Sequence, residues 1–109
     1  MVNQTIVKSV QKYLLYLINN GIPVSYGVLF GSHAKGRANK WSDIDLLVVS
    51  PKFDETRTFE DYKNLWIYAG RSDYRIEPIP VGEKQFIEEN ANTIIIIARR
   101  EGQIIPLAD

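Results

Sequence analysis

Two aspartates one residue apart, Asp43 and Asp45, follow a Gly31-Ser32 pair, with ten residues between Ser32 and Asp43. In an extended segment such aspartates project to one face, roughly 6–7 Å apart along the backbone. Two carboxylates on one face repel, and the apolar run Leu46-Leu47-Val48-Val49 gains nothing structural from them. A divalent, oxygen-preferring cation removes the conflict, and Mg²⁺ carrying phosphate oxygens suits such a pair. The upstream segment supplies the complement. Gly31 has no Cβ, so a phosphate can approach free backbone N–H groups at the turn. Ser32 adds a hydroxyl donor, Gly36 permits a second close approach, and Lys35 and Arg37 bring positive charge. Phosphate donors on one side and carboxylates on the other describe a nucleoside triphosphate site.

Two-metal phosphoryl or nucleotidyl transfer calls for a further carboxylate. Asp73, Arg75 and Glu77 share a face of the run Tyr74 to Val81, and Glu77 is the acid inside it. If that run lies beside Asp43 and Asp45, Glu77 completes a triad, with Asp73 as the fallback nearer the loop. Single His33 reads as a surface or hydrogen-bonding residue, since metal-assisted transfer needs no imidazole base. Trp41 reads as packing at the edge of the core.

These residues need elements to hold them. Ile6, Val7, Val10, Leu14, Leu17 and Ile18 recur at helical spacing, so Asn3 to Asn20 predicts a helix, capped by Asn3 or Thr5 and stopped at Gly21 and Pro23. Val24 to Phe30 predicts a strand ending at Gly31-Ser32, and Asp43 to Val49 a second strand covered on both faces. Residues 32–42 between them read as a turn with a short helical piece. The stretch from Ser50 to Thr58 reads as polar connection. Phe59, Tyr62, Leu65, Trp66 and Ala69 predict a helix ended by Gly70. Tyr74 to Val81 predicts a third strand. Its Pro78 and Pro80 lack N–H groups on the same side, which places it at a sheet edge. A polar helix is expected over about 83–90. Ile94 to Ile97 reads as a helix buried in the core, started by Asn92 or Thr93 and closed by Gly102, and residues 103–107 as a short extension.

Composition bounds the rest. The chain has 109 residues, 45% hydrophobic, with 13 Lys+Arg against 13 Asp+Glu and no Cys. That predicts one soluble domain with its own core. Zero net charge argues against a general nucleic-acid or anionic-membrane surface. Disulfides and thiolate metal sites are excluded. No apolar stretch approaches the roughly 18–20 residues of a membrane span, and Met1-Val2-Asn3-Gln4 does not open a signal peptide, so a cytoplasmic location is expected.

Gly31-Ser32, ten residues, then Asp43-x-Asp45, with Gly36 in the insert and Ser42 before the first Asp, resembles the signature of the minimal nucleotidyltransferases of the DNA polymerase beta-like superfamily. The resemblance is specific over Leu29 to Val49. It implies one nucleotidyltransferase domain over residues 1–109, an α/β (α+β) fold with a small mixed three- to four-stranded sheet and helices packed against it. It further implies that Gly31 and Ser32 hold the β- and γ-phosphates of ATP or another NTP, with Lys35, Arg37 and Ser42 as further nucleotide-binding candidates. Asp43, Asp45 and Glu77 would bind two Mg²⁺ ions, although Mn²⁺ suits the same ligands. An acceptor hydroxyl would attack the α-phosphorus and pyrophosphate would leave. Many relatives carry Asp at the third position, where this chain has Glu77. Stand-alone members pair with a small helical HEPN-type protein, acting as antitoxin by adenylylating a tyrosine on it. The alternative is a non-catalytic binding module with a vestigial nucleotide site, and homo-oligomer formation is a further expectation left open.

Overall fold

A computed structural model describes residues 2–39 and 41–108. Helix α1 spans Gln4–Asn19; the Asn3 side chain caps it by accepting from the Thr5 N–H at 2.7 Å. It buries Ile6, Val10, Tyr13, Leu14 and Leu17. The helix ends where Gly21 takes φ +86°, the left-handed conformation that costs glycine little. Strand β1 (Tyr26–Phe30) follows, then β2 (Ile44–Ser50). The short helix α2 (Lys52–Glu55) occupies what the sequence suggested was only polar connection; Phe53 is its buried anchor.

Helix α3 runs Phe59–Ser72 behind a reciprocal cap, in which Thr58 Oγ1 accepts from the Asp61 N–H and Asp61 accepts from the Thr58 N–H. It continues through Gly70, where the sequence suggested a stop, because one glycine only weakens a helix. Strand β3 (Ile76–Gly82), α4 (Glu83–Glu88), α5 (Thr93–Glu101) and β4 (Gln103–Ile105) complete the chain. The extension expected at 103–107 is thus a short strand. The isoleucine run is helical as expected, with Asn92 accepting from the Ile95 N–H, but Ile94 and Ile97 are exposed. A helix turns successive residues to different sides, so only part of that run reaches the core.

The sheet order is β3-β2-β1-β4. Strand β1 lies antiparallel to β2 and β4, while β2 and β3 are parallel. Strand β3 forms an edge, in keeping with its two prolines. Strand β2 is buried on both faces, as its unbroken apolar run predicts. On one side Leu29, Ile44, Leu46, Val48 and Ile76 pack with Val10, Leu14, Leu17 and Leu65 from α1 and α3. The Tyr13 hydroxyl crosses that layer to donate to the Leu65 carbonyl at 2.9 Å. On the other side Val28, Leu47, Val49 and Val81 pack with Phe86, Ile95 and Ala98 from α4 and α5. Among the described residues no helix is long and apolar enough to cross a membrane.

Candidate active site

Strand register brings the carboxylates together. Phe30 of β1 faces Asp45 of β2, and Asp45 faces Glu77 of β3. Residues opposite one another share a face, and Asp43 lies two before Asp45, so all three carboxylates project to the side occupied by Leu47, Val49 and Val81. They form the polar continuation of that apolar layer. The crowding shows in the proton affinities of Asp45 and Glu77. Burial pushes the Asp45 carboxyl above its ordinary value, the Asp43 charge pushes it further, and His33 opposes the shift. Burial also raises Glu77, followed by the charges of Asp43 and Asp45 and a hydrogen bond with Asp43. Asp45 and Glu77 thus hold their protons more tightly than free carboxyls do.

The Gly31 bend closes on the same carboxylates. Gly31 takes φ +74°, and a Cβ placed there would run into Asp45 Oδ2. A side chain at this position would have to push the carboxylate aside and would strain a left-handed backbone, so glycine lets the turn after β1 sit against this acid. The helical piece expected after Gly31 does not form. Residues 31–36 make successive turns instead, with Gly31 and Gly36 both at positive φ. The turn uses its own amides: Lys35 N–H donates to the Gly31 carbonyl at 3.2 Å and Arg37 N–H to the Ser32 carbonyl at 3.0 Å. A helix dipole therefore contributes nothing to anion binding here.

Ser32 and Arg37 are exposed in this turn. Lys35 pairs with Glu101 at the end of α5, 3.2 Å away. Ser42 Oγ accepts from the Asn39 N–H at 3.1 Å, and the Asn39 side chain accepts from the Trp41 N–H at 2.8 Å. Ser42 thus fixes the approach to Asp43. The fallback acid Asp73 is committed elsewhere: it accepts from Arg75 through both carboxylate oxygens and from the Ser9 hydroxyl at 2.7 Å. Those bonds hold its carboxyl down at about 2.

Trp41 differs from expectation, whereas His33 takes the hydrogen-bonding alternative of its reading. Trp41 is 72% exposed, so it does not pack into the core; it stands on the loop immediately before Ser42-Asp43. His33 is only 8% exposed, with Nε2 3.3 Å from the Ser42 carbonyl oxygen. It ties the Gly31-Ser32 turn to the residue preceding Asp43, and its position two after Gly31 was the available signal. Asp43, Asp45 and Glu77 are hard oxygen donors of the kind that hold Mg²⁺. They lie as neighbours on one face; among the described residues no three acids or imidazoles close into a ready metal cage.

With this geometry in hand, comparison with known proteins is decisive for the family. The profile of the nucleotidyltransferase domain matches residues 21–104, which takes in the bend, both aspartates and Glu77. The chain belongs to the nucleotidyltransferase domain family. Its members are enzymes that transfer a nucleotidyl group, and the mixed α/β sheet is the nucleotidyltransferase fold. A crystal structure of a candidate nucleotidyltransferase from Sulfolobus solfataricus is similar, with a TM-score of 0.62 and 17% identity, covering 90% of this chain and 77% of that one. A crystal structure of a toxin–antitoxin with AMP-PNP gives a TM-score of 0.59 at 20% identity, covering 87% of this chain and 71% of that one. At these identities the likeness is one of fold. A comparison with curated protein sequences finds no match.

Proposed function

We propose that this nucleotidyltransferase moves AMP from ATP onto a hydroxyl group in a Mg²⁺-dependent reaction. The acceptor in this reading is a tyrosine of a small helical HEPN-type partner protein, in an antitoxin role in the cytoplasm. The observation that carries the proposal is the seating of the Gly31 bend against Asp45, in the row that also presents Asp43 and Glu77. Phosphate-binding and cation-binding groups have to be adjacent for transfer from a triphosphate, and the closeness of the Gly31 bend to Asp45 supports giving them those roles. The toxin–antitoxin of similar fold, solved with an ATP analogue, supports both an adenine nucleotide and a protein partner.

Asp43, Asp45 and Glu77 would hold two Mg²⁺ ions, with Mn²⁺ an acceptable substitute. When bound, those ions neutralise phosphate charge and favour the deprotonated acceptor. The remaining work falls to the chain itself. The bare backbone at Gly31 lets the β- and γ-phosphates come close, and the Ser32 hydroxyl donates to them. Arg37 adds positive charge at the turn, and Lys35 does so from its pair with Glu101. Ser42 and His33 keep the loop from swinging away from Asp43. The longer Glu77 side chain reaches the Asp43 carboxyl, so the third acid acts on the same centre as the first two. Catalysis on this scheme is positioning and charge neutralisation, with no covalent intermediate.

Incubation with labelled ATP, Mg²⁺ and candidate partner proteins tests the proposal. Label transfer should fall by at least about 10²–10³-fold in Asp43→Ala and in Asp45→Ala, the scale of losing one charge-stabilising group. Complex formation without label transfer, unchanged by either substitution, would instead identify a binding module whose nucleotide site is vestigial.

A further inference from the structure

Helix α3 carries two apolar stripes, and the fold uses one of them. Leu65 and Ala69 are buried against the rest of the protein. Phe59, Tyr62, Trp66 and Ile67 face outward, Phe59 at 81% exposure and Trp66 at 49%, and with Lys63 they line a shallow groove of about 500 Å³. Their exposed area amounts to roughly 400 Å², the range in which a surface patch on a monomer commonly marks an interaction site.

The detailed order of residues says what covers it. At about 100° per residue, Phe59, Lys63, Trp66 and Gly70 fall on one line down the outer face, while Glu60 and Arg71 fall on a common flank. Gly70 is exposed in the helix interior, where glycine costs about 1 kcal/mol relative to alanine, and open space surrounds its missing Cβ. An exposed phenylalanine at one end of a line and an empty glycine at the other are complementary to each other. The neighbouring strand edge cannot accept an added strand, because Pro78 and Pro80 leave it short of donors.

The geometry points to a second copy of this chain, its α3 packed antiparallel on the first about a two-fold axis. One register satisfies the whole line. Phe59 seats over the second copy's Gly70, and Lys63 lies against the second copy's Trp66 as a cation–π pair. A two-fold axis carries each flank to the same flank of its mate, so Glu60 meets the second copy's Arg71. Every pair occurs twice, as an isologous interface requires. Parallel packing would instead set line residues against their own copies, Lys63 against Lys63 and Phe59 against Phe59, with the Gly70 gap left unfilled, and would carry Glu60 and its copy to opposite sides of the seam. This surface is independent of the proposed reaction.

Sedimentation velocity on the full chain, from micromolar to millimolar concentration, tests it. The wild type should shift from 12.5 kDa toward twice that mass as concentration rises, and high salt should weaken the shift. Trp66→Lys should stay monomeric throughout, with unchanged helix content by circular dichroism. Glu60→Arg and Arg71→Glu should each weaken association roughly tenfold, since two exposed pairs turn repulsive at once. The Glu60→Arg/Arg71→Glu double variant should restore it. A wild type that stays monomeric at every concentration overturns the proposal, including the case where a different helical protein takes this face. So does a dimer indifferent to the single reversals, or one that the double reversal fails to recover.

Discussion

The two faces of the sheet are built from alternate residues of the same strands, yet they are finished differently. Leu46 points into the layer under α1 and α3, where Leu29, Ile44, Val48 and Ile76 are all fully or almost fully buried. Its neighbour Asp45 points to the opposite face. There the apolar layer of Val28, Leu47, Val49 and Val81 is covered by α4 and α5, but the row through Asp45 and Glu77 is acidic and partly open. One face therefore holds the protein together along its whole length. The other is stabilising at one end and carries electrostatic conflict at the other. Concentrating the conflict beside an intact core lets the carboxylates be rigidly placed without relying on them for stability.

The largest effect should come from the finished face. Leu46→Ala removes a fully buried side chain and is expected to cost about 3–5 kcal/mol in urea unfolding. That loss should be the same with and without divalent cations, because Leu46 touches nothing on the acidic side. A loss that Mg²⁺ could largely repair would mean the two faces are coupled.

Next in size is a test of acids in opposite situations. Asp73 is satisfied by Arg75 and Ser9, and its carboxyl sits at about 2 instead of 3.8. A depressed folded pKa contributes stability above the ordinary carboxylate value and loses it as pH falls toward about 2. Asp73→Asn should therefore cost on the order of 2 kcal/mol at neutral pH, and its difference from wild type should shrink as acid is added. Equal costs at pH 7 and pH 2.5 would show that the Asp73 pairing is worth little. Gly31→Ala belongs at a similar magnitude, about 1–2 kcal/mol from the left-handed backbone, with displacement of the Asp45 carboxylate besides. Circular dichroism melts would size it, and loss of nucleotide binding beyond the loss of fold would show that the bend positions the acid.

How much of this could be read from the chain follows from how local each feature is. The Gly31-Ser32 bend and the Asp43/Asp45 pair lie in one continuous stretch, so residue types and spacing sufficed. Glu77 needed a long-range inference: it was the acid inside the third strand, and its place depended on that strand lying beside Asp43 and Asp45, which the β2–β3 register supplies. Burial was harder to read. The period of α3 reveals apolar stripes but not which one faces inward, so the spacing alone does not separate the exposed Phe59, Tyr62 and Trp66 from the buried Leu65 and Ala69. Burial of His33 and exposure of Trp41 depend on how the loop between β1 and β2 folds back on itself, through contacts such as His33 to Ser42 that no periodicity encodes. The missing helix after Gly31 follows from a second left-handed glycine at Gly36, visible in the sequence only as a glycine.

The smallest effect is also the most diagnostic, because its sign reverses the usual expectation for a mutation. Asp45→Asn keeps the shape of the side chain beside Gly31 and removes its charge. In a chelator at pH 7 it should stabilise the fold, by under about 1 kcal/mol given solvent screening of a half-exposed site. The reason is that Asp45 and Glu77 have folded pKa values raised by burial and by neighbouring acids. Their contribution to stability is fully present below the ordinary carboxylate value and is lost as pH rises through the raised folded value. The variant's advantage should thus disappear on acidification, when the wild-type acid takes up its proton and the repulsion ends. Added Mg²⁺ should reverse the ranking, since a cation that binds the folded acids stabilises the wild type and has less to hold in the variant. Thermal melts in chelator and in Mg²⁺ at two pH values measure all four corners. A variant less stable than wild type in chelator at pH 7 would mean that these carboxylates are already satisfied by the protein, and the case for cations at this end of the sheet would lose its physical basis.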